Sequence, residues 1–198
     1  MGATPSTMQE LGTKLPPFRL PSLDGSLVSD EQFKGAPALL VAFICPHCPY
    51  VKHIRQEFSR FAKDYGPRGL AIVAVNSNDA KAFPDDSPEG MKNEATEVGY
   101  AFPYLYDESQ QVARAFRAAC TPDLFLFNRD RRLVYRGQFD DSRPSTAIPV
   151  TGADLRAATD AVLTGRAVSE AQRPSVGCNI KWKPGNAPDY FGEGKPGK

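Results

Sequence analysis

The feature that most constrains this chain is an unbroken apolar run, Pro37-Ala38-Leu39-Leu40-Val41-Ala42-Phe43-Ile44, which ends directly on Cys45-Pro46-His47-Cys48. A run of that length, bounded by Gly35 and Pro46, suits a central strand buried on both faces. After it, Val51, Ile54, Phe58, Phe61, Ala62 and Tyr65 recur at three- and four-residue steps and so share one helix face, ending near Gly66-Pro67. Leu70 to Val75 is a second apolar run. Strand, helix, strand in that order is a βαβ unit with parallel strands and a right-handed crossover. A CxxC placed at its first turn can hardly be incidental to the fold.

The rest of the chain extends the pattern. Phe18 to Val28 reads as a hairpin turning at Asp24-Gly25. Gly90–Val98 and Ser109–Ala119 read as helices, Phe102–Tyr106 as a strand, and Leu124–Phe127 with Leu133–Tyr135 as an antiparallel hairpin. Thr151 with Asp154 reads as the capping pair of a last helix that ends at Gly165. The expected class is α/β, a central mixed sheet flanked by helices, with an N-terminal hairpin and an extended C-terminal tail. Residues 1–14 read as a flexible polar arm, 15–170 as the domain, and 171–198 as a Pro-, Gly- and Lys-rich tail packing on it.

The 198 residues carry a net charge of +1, so no global field points to nucleic acid, a membrane surface or a highly charged substrate. Met1 to Ser6 lacks the basic start and apolar core of a signal peptide; Gly2 with Ser6 fits the N-myristoylation pattern, which is short enough to recur by chance. The expected compartment is the cytoplasm, where cysteines are more often catalytic, metal-bound or inert than bridged.

A CxxC between a buried strand and a helix has a chemical purpose. The first cysteine, Cys45, is expected at the helix N-terminus, where free amides and the dipole favour a thiolate, the nucleophile of disulfide exchange. Cys48, one turn on, is expected to resolve the mixed disulfide and form a Cys45–Cys48 disulfide. Pro46 fits a first helical turn, and a charged His47 would add to the thiolate's stability. Half of a zinc site is the competing reading. Its other ligands would be the isolated Cys120 and Cys178, a poor match to paired knuckles on loops. No metal or other cofactor is expected.

Phe43-Ile44-Cys45-Pro46-His47-Cys48-Pro49 resembles the active-site segment of thioredoxin-like proteins, with a spacer similar to that of DsbA-type oxidants. Ala119-Cys120-Thr121-Pro122-Asp123 looks like that superfamily's cis-proline loop. The resemblance implies a thioredoxin-like fold with a cis Thr121–Pro122 peptide facing the CxxC, its backbone able to pair with a substrate chain. Phe102 to Asp107, Val112 to Phe116, Asp140 to Ser145 and Val176 to Lys183 resemble the redoxin (AhpC/TSA-type) branch. One departure concerns peroxide chemistry: where peroxiredoxins carry Pro and Thr or Ser ahead of the reactive cysteine, this chain has Ala38 and Ala42.

Three functions follow. The first is a thiol–disulfide oxidoreductase acting on protein or small-molecule thiols and disulfides, with no nucleic-acid or membrane partner. The second is a thiol peroxidase with Cys45 peroxidatic. The third is a metal-binding or redox-sensing module using Cys45, Cys48, Cys120 and Cys178. Cys120 reads either as a small core residue or as an accessory thiol. Cys178, flanked by Val176, Ile180 and Trp182, is expected to fold back toward Cys120 or Cys45. Arg143 is a candidate to orient a substrate anion. His53, Asp85-Asp86 and Asp140-Asp141 read as polar groups without a chemical role.

Overall fold

A computed structural model describes residues 3–191. The N-myristoylation pattern at Gly2 and the last residues of the tail lie outside the described residues. The elements in chain order are β1 (Ala3–Pro5), β2 (Arg19–Pro21), β3 (Leu27–Ser29), β4 (Ala38–Phe43), α1 (Pro49–Tyr65) and β5 (Leu70–Asn76). They continue with α2 (Pro88–Val98), β6 (Tyr104–Tyr106), α3 (Gln111–Ala115), β7 (Cys120–Thr121), β8 (Asp123–Phe127), β9 (Leu133–Gly137), α4 (Ala153–Leu163) and β10 (Val176–Asn179). Among the described residues, no helix is long and apolar enough to cross a membrane.

The apolar run is the middle of a five-stranded sheet in the order β6-β5-β4-β8-β9. β4 runs parallel to β5, from Ala38 opposite Leu70 to Phe43 opposite Val75, and antiparallel to β8, ending with Phe43 opposite Asp123. All six of its residues are buried because both faces are covered. Ala38, Leu40 and Ala42 face one cluster with Ile54, Phe58 and Phe61 of α1 and Leu155 of α4. Leu39, Val41 and Phe43 face another with Val112, Ala113 and Phe116, closed by Leu20 and Val28 of the β2–β3 hairpin. Phe58 and Phe61 are almost fully buried, and each such side chain contributes about 1.5–3 kcal/mol. The fold is thioredoxin-like, a mixed sheet between helices, in agreement with the expectation.

The N-terminal arm is not loose, and the tail packs on the domain as a strand. Ala3–Pro5 pairs antiparallel with Val176–Cys178, and the other edge of that tail strand pairs with Cys120–Thr121, giving a second sheet in the order β1-β10-β7. Neither segment has a hydrophobic period long enough to announce a strand. Each becomes one because a distant segment satisfies its backbone. Two helix boundaries also move. α3 is shorter than expected, because the Asp107 carboxylate takes the Ala113 amide and Arg117 turns left-handed at φ 51. α4 is capped by left-handed Gly152, not by Thr151. Asp154 accepts instead from Gln138 Nε2 at 2.7 Å.

Candidate active site

β4 delivers Ile44, held by its amide to the Val75 carbonyl at 3.1 Å, and the chain then turns through Cys45-Pro46-His47-Cys48. The helix starts at Pro49, three residues later than a cap at Cys45 would place it, and Cys48 is its N-cap in extended geometry at φ −67 and ψ 122. The cause is Pro49. Proline keeps the residue before it out of the helical region yet fits the first helical position itself. Cys45 therefore sits ahead of the helix, on the turn, and not within the first set of free amides. The cysteine closest to the helix end is Cys48.

Thr121–Pro122 is cis, as the resemblance implied, and faces the CxxC. Thr121 touches both cysteines. Its hydroxyl lies 3.5 Å from Cys45 Sγ, and its carbonyl accepts from the Cys48 thiol at 3.2 Å. Cys178, in β10, is the register partner of Thr121 and packs in the same buried cluster as Cys45 and Cys48. The tail does fold back toward the CxxC, and the Cys178 and Cys48 thiols shift each other's acidity. Cys120 is fully buried and turns its thiol to the Pro122 carbonyl at 3.6 Å. All four cysteines are buried, free thiols.

The electrostatics reverse the expected order of acidity. Burial pushes the Cys45 thiol well above its usual range, and the hydrogen bond to Cys48 and the negative Asp86 push the same way. Cys48 is lowered, because Cys178 and Cys45 can both donate to its sulfur. Cys178 is raised by that same bond and by burial. Cys120 is raised by burial and by Asp123. In this closed arrangement Cys48 is thus the more acidic of the two CxxC thiols.

His47 is not an isolated tuning group. Its ring nitrogen Nδ1 lies 3.8 Å from Cys45 Sγ and is hydrogen-bonded to the carboxylate of Asp86, which also accepts from the His47 backbone amide at 3.1 Å and from Asn78 Nδ2 at 2.8 Å. A carboxylate only accepts, which assigns the ring proton to Nδ1. Phe83 stacks on the ring with centroids 5.6 Å apart. Asp86, read from the sequence as a loop polar group, lies in the loop between β5 and α2 and is fully buried. It and His47 stand 39 positions apart in the chain, which hides the pair from any local pattern. Cys45 Sγ, His47 and Asp86 place their donor atoms within 4.8 Å of one another, the one such metal-competent group among the described residues. The four cysteines form no such group.

Arg143 does approach this region. It lines a small cleft with Tyr50, His53 and Pro122. Its guanidinium holds its own loop, however, donating to the Asp140 and Ser142 carbonyls and to Gln138 Oε1. Asp140 is lowered despite burial, because Ser142 and the Gly152 and Thr151 amides bond it. Ser142 in turn meets His53 Nε2 at 3.0 Å, which satisfies that histidine.

The sequence model of the Redoxin family matches residues 10–155. The chain belongs to the Redoxin family. Members of this thioredoxin-like family are oxidoreductases. This redoxin is 57% identical to an uncharacterized conserved protein from Geobacillus kaustophilus, at a TM-score of 0.91, over 93% of this chain and 98% of that one. It is 26% identical to a protein of Mycobacterium tuberculosis named as a peroxiredoxin, over 58% of this chain and 68% of the relative. The thioredoxin domain of a thiol-disulfide oxidoreductase from Bacteroides vulgatus shares the fold at a TM-score of 0.56 and 18% identity, over 65% of this chain and 88% of that domain.

Proposed function

We propose that this redoxin is a thiol–disulfide oxidoreductase acting on protein or small-molecule disulfides, with Cys45 attacking and Cys48 resolving. The observation that carries the reading is the convergence of both thiols on Thr121 beneath the cis-proline loop. One hydroxyl and one carbonyl of a single residue hold two sulfurs three positions apart in the chain. That arrangement gathers both CxxC sulfurs at one residue. Cys45 stands on the turn ahead of the helix, its Sγ 3.8 Å from His47 Nδ1, whose proton the Asp86 carboxylate holds. Cys48, anchored at the helix cap, keeps the lower proton affinity and is ready to attack the mixed disulfide.

Insulin reduction tests the reading. Cys45→Ser is expected to abolish it, and Cys48→Ser to trap the substrate as a mixed disulfide. Full activity in Cys45→Ser would overturn the assignment of the attacking thiol. The reduction potential sets the direction of electron flow: about −270 mV would mark a reductant and about −120 mV a strong oxidant.

Hydroperoxide reduction is the second reading. It is favoured by the Thr121 hydroxyl at Cys45 Sγ, which supplies from the cis-proline loop the hydroxyl that Ala42 withholds. Hydroperoxide consumption measured beside insulin reduction separates the two.

A further inference from the structure

The backbone of Cys120-Thr121 beside a cis-proline is where an extended substrate chain would be taken up, and here it is already occupied. β10 pairs with it antiparallel, and the residue opposite Thr121 is itself a cysteine, Cys178. Gly177 makes the fit possible: a Cβ there would stand 2.0 Å from the Thr121 carbonyl oxygen, so only glycine lets the strand settle this close. Thr121 thus gathers three sulfurs, Cys45 through its hydroxyl, Cys48 through its carbonyl and Cys178 through its backbone register. Cys178 lies in the buried cluster that also holds Cys45, Cys48, Val51 and Ile54 around the start of α1.

We propose that Cys178 is a third redox thiol, which receives the disulfide from Cys45–Cys48 and stores it as Cys48–Cys178. The inference rests on the reading of Cys45–Cys48 as a redox couple. In the step, Cys178 gives up its proton and its sulfur attacks Cys48 Sγ. The Cys48–Cys178 bond forms as the Cys45–Cys48 bond breaks, and the electron pair leaves on Cys45, which takes up the proton. One disulfide and one thiol stand on each side, so no outside oxidant enters. The product frees Cys45 for a further attack and ties β10 to α1. The tail strand is then both a resident occupant of the substrate groove and its covalent clasp. Cys120, equally buried but turned to the Pro122 carbonyl, takes no part.

The full-length reduced protein is exposed to oxidised glutathione, quenched in acid, unfolded, alkylated and digested with trypsin. Cys45 and Cys48 fall in one peptide, residues 35–52, and Cys178 in another, residues 167–181. The expected result is a disulfide-linked pair of these peptides in the wild type and in Cys45→Ser, lost in Cys48→Ser. A Cys178 that stays fully alkylated while peptide 35–52 carries an internal disulfide overturns the inference and leaves the redox couple standing. A linked pair that persists in Cys48→Ser, or a Cys178–Cys120 link, also overturns it. If peptide 35–52 takes part in no disulfide at all, the oxidoreductase reading itself fails.

Discussion

Asp123 follows the cis-proline and is fully buried in β8, opposite Phe43. One of its oxygens accepts from the Ala119 amide at 3.0 Å. Burial raises its carboxyl from 3.8 to about 7, against the opposing pull of the Ala119 amide. The direction of the effect on stability follows. Below about pH 4 the carboxyl is neutral in both folded and unfolded chains. As pH rises, the unfolded chain ionises first, while the folded one holds its proton until about 7. In that window the native state binds more protons, so stability falls with rising pH. About three pKa units at about 1.4 kcal/mol each amounts to about 4 kcal/mol lost by about pH 8. Asp123→Asn removes this titration and keeps an acceptor for Ala119. Urea unfolding of both proteins under reductant, from about pH 4 to about pH 8, reads the difference. The variant's stability relative to wild type is expected to climb by about 4 kcal/mol across that range. Glu94, raised by burial to about 7, acts in the same direction but is present in both proteins and cancels. Parallel stability curves for the two proteins would refute the reasoning.

Other outcomes follow from the same geometry. Asp86→Asn withdraws a negative charge that raises Cys45; in a Cys48→Ser background the pH profile of Cys45 alkylation is expected to move to lower pH, and an unmoved profile would count against Asp86 as its electrostatic neighbour. Gly177→Ala drives a methyl onto the Thr121 carbonyl oxygen, so β10 should leave the groove; iodoacetamide labelling of Cys45 and Cys48 under native conditions is expected to speed up, and unchanged labelling would show that the strand is not what covers them. Phe58→Ala empties a site packed on Phe61, Phe102 and Phe139, and chemical denaturation should show a loss of about 3–5 kcal/mol.

Periodicity and turn chemistry were enough to read β4, α1, β5 and the two hairpins, because each pattern is complete within one segment. The CxxC and the Thr-Pro step were legible as motifs, and their facing each other follows from the topology those elements adopt. Three parts of the site were not legible. The start of α1 shifted because Pro49 overrides the spacing of the cysteines, a local rule that the sequence does carry. Asp86 reaches His47 across 39 positions, through the packing of one loop on another and no periodic signal. Most consequential is the tail. Val176 to Asn179 is a strand only because Thr121 on one side and Ala3 to Pro5 on the other satisfy its backbone, and neither partner is near it in the chain. The sequence by itself determined the redoxin scaffold and its two adjacent thiols. The tertiary structure alone decided the company those thiols keep: a buried carboxylate behind His47 and a third sulfur laid across the groove, since backbone pairing between distant segments depends on register that no single segment encodes.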